Sequence, residues 1–550
     1  MISIANRILS FSKPATFKVG IFFILLLAIW VAFSGLNKVP LGSHEAFVVQ
    51  TAKEMSHRND WIVPTLGGNL RLNKPPLSYW ATAGFVRILG AKDFLPWHGR
   101  LPSALAGVAM VALTIFIGWR LWGRSIGLIA GILALSNTGF SVFTHSARPE
   151  MLYTLFCTLQ TALFLQVWRG KTGQKWAAWG MWAAMGAATL TKGPHIPLVM
   201  LVAFILVFAR TDYRRALRLI RPVTGSVLLI AIAAPWWILL GYKIGWDTLG
   251  GSQLTGARYE LNFLNVFHPF FYYSGWQLLI PWMMLWPTML LLVFKFRRMN
   301  AGARQIGIVI LISFLMLGFG GRKRLHYILP FMSLACVWMA FAVRRFFGTK
   351  TQHQTFRSWI VPGHIFLAAG CIIYLWVYQG VERFAPIHPV QCTLALFLLA
   401  GLYGAVTIIG KFDGLLRIHR YRLDFLAIAF CFIILLSTLT LTGMGHPIKR
   451  WNRARVGRSI TQYISSDTPV YTFQSLTPSI LIYYANRPIN SVNKADDLKA
   501  LVAQSSNNRI AVVVSEKDLK KVDDTRLNYN ILATIENCKD GFSWHLLLFS

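Results

Sequence analysis

The chain has 550 residues, of which 55% are hydrophobic and only 14% are charged, and its mean hydropathy is +0.50. A soluble domain carries roughly 25% charged residues, so this composition excludes a soluble globular protein and indicates a helical protein that crosses a membrane many times. Lysine and arginine total 55 against 20 acidic residues, a formal charge of +35. Because the basic residues cluster in short loops between apolar runs, they follow the positive-inside pattern rather than forming a nucleic-acid-binding face.

About thirteen apolar runs are long enough to be transmembrane helices, which need about 20 residues to cross the hydrocarbon core. We expect the run after Lys18 to remain as the first span, because no small-residue cleavage site follows it. The segment 77–96 is short and interrupted by charges, so we predict that it lies along the outer interface as an amphipathic or re-entrant helix. The predicted spans are 19–36, 101–120, 125–143, 151–168, 176–191, 195–209, 223–242, 271–294, 305–320, 327–343, 359–379, 392–410 and 423–443.

The charges of the loops predict the orientation of these spans. With a cytoplasmic N-terminus and 77–96 outside the membrane, the basic loop clusters from Arg120 to Arg422 fall on the cytoplasmic side, and the C-terminus falls on the other side. The exception is the run Arg322, Lys323 and Arg324, which this topology places on the outer face. Basic groups there need a compensating partner, so the run indicates an anionic ligand.

The composition changes after Gly445, where acidic residues become frequent and short β-rich runs alternate with helical ones. We therefore predict a transmembrane domain over 1–444, with 36–98 as a first extracytoplasmic loop bearing interfacial helices, and an extracytoplasmic α/β domain over 445–550. The second domain has no glycine-rich phosphate loop and no metal-ligand spacing, so we assign it no catalytic role. Its predicted strands are TPVYTF, RIAVVVS, NILATIE and HLLLF, and its predicted helices are 450–464, 476–485 and 494–505.

The first loop is a polar stretch in an otherwise apolar chain, and His44 and Glu45 follow the first span directly. Glu45 precedes the helical sequence AFVVQTAKEM, so it serves either as an N-terminal helix cap, contributing roughly 0.3–1 kcal/mol, or as a general base at the membrane surface. Glu150 begins a later span, where it is either solvated, paired with Arg148, or catalytic. The candidate catalytic residues are therefore Glu45, His44 and Glu150.

Basic and aromatic residues collect on the same outer face. Lys74 in NKPPLSYW and Lys192 in LTKGPH could each extend to the interface without a ligand or bind the same anion. Anion binding beside carboxylates at a lipid interface suits chemistry on a lipid-linked phosphate, because Coulomb attraction strengthens where water is excluded. The candidate phosphate-binding residues are Lys74, Lys192, Arg322, Lys323, Arg324 and Tyr327, and the candidate substrate-pocket residues are His268, Tyr273, Tyr79 and His326.

The order of the motifs resembles the GT-C glycosyltransferases of the protein O-mannosyltransferase and aminoarabinose-transferase (ArnT-like) type. The resemblance covers roughly residues 36–331 and is closest to the bacterial aminoarabinose-transferase branch. The motifs that carry it are SHEAFVVQTAKEM, DWIVPTLGGNLRLNKPPLSYW, RLPSALAG, SARPEML, LTKGP, HPFFYYSGW with IPW, and KRLHYILP.

The resemblance implies an inverting glycosyltransferase of the bacterial inner membrane, with a periplasmic C-terminus. Its donor would be a polyprenyl-phosphate sugar, and its acceptor lipid A, another glycan or a protein. In this mechanism Lys74, Lys192 and the run 322–324 hold the donor phosphate. Glu45 or Glu150, either alone or with His44, deprotonates or orients the acceptor. No cofactor is implied with certainty, and the need for a divalent metal stays open.

Four positions depart from the family pattern. The first loop of the family usually reads Asp-Glu, and that aspartate is the expected catalytic residue, whereas this chain has His44–Glu45. The second acidic position, usually Asp, is Glu150. Phe47 replaces an arginine, and Asn73 replaces a residue that is often Glu. These departures argue against naming aminoarabinose as the sugar or lipid A as the acceptor.

Two other classes of protein were weighed. A transporter or flippase of an anionic lipid-linked substrate would also place basic groups between spans on the outer face. Transporters usually have polar or broken helices near the bilayer midplane and internal symmetry, whereas these spans are mostly clean and carry their charges at the outer ends. A membrane scaffold with an external module explains the C-terminal region but not the outward basic run. The enzyme is the interpretation that accounts for all of these features.

Overall fold

The structure is a computed structural model of the 550-residue chain. It describes most of the first half and most of the C-terminal region. The described residues are 14–170, 174–208, 213–252, 275–282, 285, 301–319, 324–346, nine residues between 429 and 441, 449–474, 478–505, 509–535 and 543–549.

Most of the described chain is helical. Its helices in chain order are α1 (Pro14–Phe33), α2 (Ser43–His57), α3 (Leu77–Ile88), α4 (Pro96–Trp122), α5 (Arg124–Leu135), α6 (Thr138–Thr144), α7 (Pro149–Trp168), α8 (Gln174–Thr191), α9 (His195–Phe208), α10 (Tyr213–Ile220), α11 (Pro222–Ile244), α12 (Trp246–Gly250), α13 (Ala301–Gly318), α14 (Met332–Phe346), α15 (Lys449–Tyr463), α16 (Pro478–Ala485), α17 (Ala495–Gln504) and α18 (Glu516–Asp523).

Within the described residues, six helical segments are long and apolar enough to cross a membrane, and α5 with α6 makes a seventh if this pair, bent by 57°, is one broken span. The six are Pro14–Phe33, Pro96–Trp122, Pro149–Trp168, Leu217–Ile244, Ala301–Gly318 and Leu325–Arg344. The polytopic helical fold predicted from the sequence is confirmed. The count of about thirteen spans stays a prediction, since 359–379 and 392–410 lie wholly outside the described residues.

Small residues let the spans pack closely. A Cβ on Gly107 in α4 would lie 2.2 Å from Thr144 Cγ2, and one on Gly131 in α5 would lie 2.4 Å from Ile115 Cγ1. Such close approach is the usual way in which membrane helices gain packing energy, because lipid chains compete equally well for large apolar side chains. The result is one apolar core that runs through α1, α4, α5, α7 and the helices that surround them.

The first loop forms a compact layer at one end of these spans. It contains α2, a two-stranded antiparallel hairpin of β1 (Thr65–Leu66) and β2 (Asn69–Leu70), and α3. At 12 residues α3 is too short to cross the hydrocarbon, and the interfacial placement of 77–96 stays a prediction. Its buried face, with Tyr79 and Ala83, packs on α2.

The C-terminal region has a five-stranded sheet of order β4-β3-β5-β7-β6. Strand β3 is parallel to both of its neighbours, β4 and β5, and β7 is antiparallel to both of its neighbours, β5 and β6. Four strands match the predicted ones, whereas β4 and helix α18 were not predicted. The strands are β3 (Val470–Phe473), β4 (Asn490–Val492), β5 (Ile510–Ser515), β6 (Tyr529–Ile535) and β7 (Trp544–Phe549).

This α/β unit lies directly against the first loop. The hydroxyl of Tyr484 accepts a hydrogen bond from the Leu41 amide at 3.0 Å, and Lys53 Nζ donates to Asn486 Oδ1 at 2.7 Å. Ile480 belongs to the same buried cluster as the apolar face of α2. The contact places the first turn of α2 between the membrane spans and the C-terminal region.

Candidate active site

Glu45 lies at the third position of α2 and reaches back to cap it. Its Oε2 accepts a hydrogen bond from the Gly42 amide at 2.9 Å, one of the amides that a helix N-terminus leaves without an internal partner. Its Oε1 accepts a hydrogen bond from the amide of Ala147 at 3.0 Å, which joins α2 to the segment before α7. In the structure Glu45 therefore caps the N-terminus of α2, which is one of the two roles predicted for it.

Two guanidinium groups complete the contacts of this carboxylate. Arg100 donates from Nε to Oε1 at 2.8 Å and from Nη2 to Oε2 at 3.2 Å, and both side chains are 2% exposed. Arg450 of α15 donates from Nη1 to Oε2 at 2.9 Å. Burial alone would raise the pKa of Glu45, but Arg100, Arg450 and the Gly42 amide outweigh it and lower the pKa to about 2. A carboxylate with five donors has little capacity left to accept a proton from a substrate.

His44 lines a cavity of about 410 Å³. Burial lowers the pKa of its imidazole, and the nearby guanidinium of Arg148 lowers it further, so the ring is neutral near pH 7 and able to accept a proton. The cavity lies between the first turn of α2, the segment after α6, and the C-terminal region. Its walls are formed by Gly42, Ser43, His44, Glu45, Phe47, Val142, Phe143, His145, Ser146, Arg148, Arg450, Arg453 and Ile480.

Glu150, at the start of α7, lies at the centre of a second cluster. Its Oε1 is 3.1 Å from Arg148 Nη2, 3.2 Å from Lys192 Nζ and 3.6 Å from His326 Nε2. Its Oε2 is buried and has no hydrogen-bond partner among the described residues. A buried oxygen without a partner is costly, which marks Oε2 as an atom that a substrate hydroxyl or water can satisfy. Arg148 connects this cluster to the cavity, because its side chain also lines the cavity wall.

Lys74 belongs to the same electrostatic neighbourhood. Burial lowers its pKa, the negative charge of Glu150 opposes that effect, and Arg324 and Arg71 act in the same direction as burial. In the described part of the chain no carboxylate lies within ion-pair distance of Lys74. A half-buried ammonium in a region rich in positive charge is well suited to bind a phosphate.

Aromatic rings surround Lys192. Its Nζ lies 5.1 Å from the ring centroid of Tyr327 and 5.8 Å from that of Tyr153. The ring of His195 is 6.0 Å from that of Tyr153 and 6.4 Å from that of Tyr327. The Tyr153 hydroxyl donates to the carbonyl of Gly193 at 2.9 Å and so holds the turn after α8. This arrangement fixes the ammonium of Lys192 against Glu150.

The carboxylate of Glu54 stabilises the hairpin that precedes Lys74 in the first loop. Glu54, near the end of α2, accepts hydrogen bonds from the Thr65 hydroxyl at 2.6 Å and the Gly67 amide at 2.7 Å. The positive φ of Gly67 makes the hairpin turn possible. Glu54 therefore ties the end of α2 to the hairpin that precedes the segment from Arg71 to Lys74.

The predicted site residues divide into three groups. His44, Glu45, Lys74, Glu150, Lys192, Arg324, His326 and Tyr327 lie around the cavity and the Glu150 cluster. Tyr79 is buried under α2, in the layer that supports the site. Arg322, Lys323, His268 and Tyr273 lie outside the described residues. The part of the chain that the structure describes contains no group of three or more side chains that could hold a metal ion.

Several residues of the site were not predicted. Arg100 is the first residue of the motif RLPSALAG and lies in an apolar span. A charged residue in such a span needs a partner, so the sequence did indicate a carboxylate contact for it. Arg450 and Arg453 are three residues apart on a predicted helix, a spacing that places both on one face. His195 follows Lys192 within the same outward turn. Nothing in the sequence indicated which of these groups would meet.

Comparison with known proteins shows what the chain resembles. The family model described as dolichyl-phosphate-mannose-protein mannosyltransferase matches residues 73–239. An uncharacterized protein of Aquifex aeolicus is 28% identical over 207 residues, which is 36% of this chain and 39% of that protein. The undecaprenyl phosphate-alpha-4-amino-4-deoxy-L-arabinose arabinosyl transferase of Pectobacterium atrosepticum is 26% identical over 395 residues, 68% of this chain and 70% of that one. The alignment thus covers well under half of the Aquifex protein and about two thirds of the transferase.

The fold is also that of a solved structure. The crystal structure of ArnT from Cupriavidus metallidurans bound to undecaprenyl phosphate matches with a TM-score of 0.76 at 17% identity, covering 97% of this chain and 98% of that chain. The match extends over the membrane domain and the C-terminal region alike, and nothing in these comparisons supports the transporter alternative. The chain is therefore a multi-pass membrane protein with the fold of the ArnT structure, and it is similar in sequence to the mannosyltransferase family model over residues 73–239.

Proposed function

We propose that this protein is an inverting glycosyltransferase that moves a sugar from a polyprenyl-phosphate donor to an acceptor on the extracytoplasmic face of the bacterial inner membrane. The observation that carries the proposal is the pairing of two features around Arg148. One is the cavity lined by neutral His44, and the other is the basic cluster that contains Lys74, Lys192 and Glu150. The names of the arabinosyl transferase relative and of the undecaprenyl phosphate complex support this donor class.

The donor phosphate binds the basic cluster in this proposal. Lys74 and Lys192 supply ammonium groups, and Arg324 adds positive charge close to both Lys74 and His44. As the bond from the anomeric carbon to the phosphate oxygen breaks, its electron pair stays on that oxygen and the leaving phosphate gains negative charge. Fixed cations in a site that excludes water stabilise this charge without reorganising. The phosphate leaves as polyprenyl phosphate.

The acceptor oxygen attacks the opposite face of the same carbon, so a single displacement inverts the anomeric configuration. When the acceptor is a hydroxyl, its proton passes to the neutral imidazole of His44, while Glu150 Oε2 accepts a hydrogen bond from the acceptor or sugar and orients it. Glu45 is not the base in this scheme, because its oxygens already accept five hydrogen bonds. We assign Glu45 the role of holding the first turn of α2.

The same proposal places the C-terminal α/β region and the first loop on the periplasmic side. The clustering of Lys74, Glu150 and Lys192 supports it, because the predicted topology assigns all three to the outer face of the membrane. Reaction of single cysteines with a membrane-impermeant thiol reagent tests this placement. Exposed positions such as Lys499 should be labelled in intact spheroplasts, and labelling only after lysis would contradict it.

The transfer reaction itself is tested on cell envelopes. Lipopolysaccharide and glycoprotein mass profiles are compared between cells that carry the gene and cells that lack it. We expect one glycan or protein species to lose a single sugar mass when the gene is deleted, and to regain it when wild-type protein is restored. Identical profiles in all strains, with the protein present in the membrane, would refute the proposal.

A further inference from the structure

The C-terminal region holds both chain neighbours of His44. Arg450 Nη1 donates to Glu45 Oε2 at 2.9 Å. Arg453, one helical turn later, donates from Nη1 to the Ser43 hydroxyl at 3.3 Å. Ser479 Oγ donates to the Ser43 carbonyl at 3.3 Å. The residue between Ser43 and Glu45 is the one that lines the cavity, so its backbone is fixed on each side by groups that are more than 400 positions away in the sequence.

The glycine at position 42 leaves space for the side chain of Arg450. A Cβ on Gly42 would lie 3.0 Å from Arg450 Cζ, so any larger residue there would press on the guanidinium. The absence of a side chain at Gly42 leaves room for the Arg450 guanidinium beside the start of α2. Gly42 also supplies the amide that Glu45 caps.

The two arginines bound to Glu45 differ in exposure. The side chain of Arg100 is 2% exposed, whereas that of Arg450 is 26% exposed and lies in the cavity wall. Arg100 alone gives Glu45 a bidentate partner and neutralises its charge. Loss of Arg450 would therefore leave no buried charge without a partner. Its removal should change the position of α2 more than the stability of the fold.

We propose that Arg450 is a positioning residue, which acts through Glu45 to fix the first turn of α2 and hence the imidazole of His44 against the cavity. The C-terminal domain is then a required part of the transfer site rather than an accessory module. This inference rests on the proposed function for the reaction that is measured, but its geometry does not depend on the identity of the sugar or acceptor.

The test compares Arg450→Gln with Arg455→Gln, an exposed arginine on the same helix that lies outside the cavity. We expect Arg450→Gln to lower kcat about 10- to 100-fold, as small displacements of reacting groups do, with little change in KM for the donor and an unfolding temperature near that of wild type. Arg450→Lys should recover part of the rate, because an ammonium can still reach the carboxylate. Wild-type kcat in Arg450→Gln would overturn the proposal.

A double-mutant cycle tests whether Arg450 acts through Glu45. If it does, the fold-loss of kcat in the double variant, which carries both Glu45→Gln and Arg450→Gln, is clearly smaller than the product of the fold-losses in the two single variants. Losses that multiply independently would show that Arg450 acts by another route and would overturn the proposal.

A measurement that does not depend on sugar transfer tests this inference separately from the proposed function. The rate at which diethylpyrocarbonate modifies His44, followed by peptide mass spectrometry, reports the environment of the imidazole in the full-length protein. We expect this rate to change at least about threefold in Arg450→Gln and to stay at the wild-type value in Arg455→Gln, even if wild-type protein transfers no sugar in the assay. Equal rates in all three proteins would overturn the positioning role.

Discussion

Glu150 and Lys192 form a buried ion pair, with Oε1 and Nζ 3.2 Å apart and side chains that are 5% and 3% exposed. The two oxygens of Glu150 have different surroundings. Oε1 faces Arg148, Lys192 and His326, whereas Oε2 has no hydrogen-bond partner among the described residues. The cationic side chains contact Oε1 and leave Oε2 available, which is the arrangement that orienting a substrate hydroxyl requires.

The first prediction concerns this free oxygen. Glu150→Gln should lower kcat by about 10²-fold or more, because it removes the charged acceptor beside the reacting atoms. It also leaves Lys192 without its buried counter-charge, which should lower the free energy of unfolding by roughly 3–5 kcal/mol. Transfer rates in lipid nanodiscs and thermal unfolding of the same preparations check both effects.

The matched control for Glu150 is Glu150→Asp. It keeps the negative charge with a side chain one methylene shorter, so we expect it to retain more of the stability and more of the rate than Glu150→Gln. Equal activity of wild type and Glu150→Gln at a temperature where both are folded would contradict a role for Oε2.

The second prediction concerns the pH dependence of transfer. Since burial and Arg148 lower the pKa of His44 in the ligand-free protein, the acid limb of the kcat/KM profile should have its midpoint below the ordinary histidine value of about 6.5. His44→Ala should lower the rate by about 10²-fold or more and remove that limb. His44→Asp should shift the limb to lower pH, because a carboxylate replaces the imidazole as base. An acid limb that is identical in wild type and His44→Asp would assign the base to another residue.

The third prediction concerns the donor phosphate. Lys74→Gln should weaken binding of polyprenyl phosphate by about tenfold or more, since it removes one charge-assisted contact to the leaving group. Lys38→Gln is the control, because Lys38 is an exposed lysine of the same loop. Affinities are measured by titration of polyprenyl phosphate into protein in nanodiscs. Equal weakening in both variants would indicate a general effect of charge rather than a phosphate contact.

The fourth prediction concerns acid stability. The carboxyl of Glu45 has a folded-state pKa near 2, against an ordinary value of 4.5. A group with a depressed pKa stabilises the fold above its unfolded pKa, and this contribution is lost as the pH falls through the folded pKa. Wild type should therefore lose on the order of 3 kcal/mol between about pH 4.5 and pH 2 from this group alone. Glu45→Gln should lack this component, as thermal unfolding across that pH range would reveal, and parallel curves would contradict the ion-pair assignment.

The fifth prediction concerns the brace of the hairpin. Glu54→Ala removes the acceptor of the Thr65 hydroxyl and the Gly67 amide and should loosen the segment that carries Lys74. We expect a lower kcat and weaker binding of polyprenyl phosphate, with Glu54→Gln intermediate because its amide oxygen can still accept one of these hydrogen bonds. Faster backbone hydrogen exchange at residues 65–70 should accompany the loss. Unchanged exchange in Glu54→Ala would show that the hairpin does not depend on this residue.

Much of the fold followed from local pattern. Apolar runs of about 20 residues predicted the spans, and β-branched residues predicted strands such as RIAVVVS. Strand β4 was missed because three residues, two of them exposed, carry almost no periodic signal. Helix α18 was missed because its sequence EKDLKKVD contains few apolar residues, so its helical face is visible only once it packs against the sheet.

The site was predictable only as a set of candidates. Charge counting and the ordered motifs brought Lys74, Glu150 and Lys192 to one face. They could not separate the roles of His44 and Glu45, because those roles depend on partners distant in sequence. Arg100 lies 55 positions from Glu45 and Arg450 lies 405 positions from it. Both arginines donate hydrogen bonds to the Glu45 carboxylate, whereas His44 lines the cavity. Tertiary packing, and not local sequence, decides this difference.

The most direct test of the account is transfer by the purified full-length protein in lipid nanodiscs. The donor is a labelled polyprenyl-phosphate sugar, and the acceptor is an envelope extract from cells that lack the gene. We predict that label moves to one acceptor species with release of polyprenyl phosphate and an inverted anomeric configuration, and that His44→Ala and Glu150→Gln each reduce the rate by about 10²-fold or more. Wild-type transfer rates in both variants, or a product that retains the donor configuration, would contradict the account.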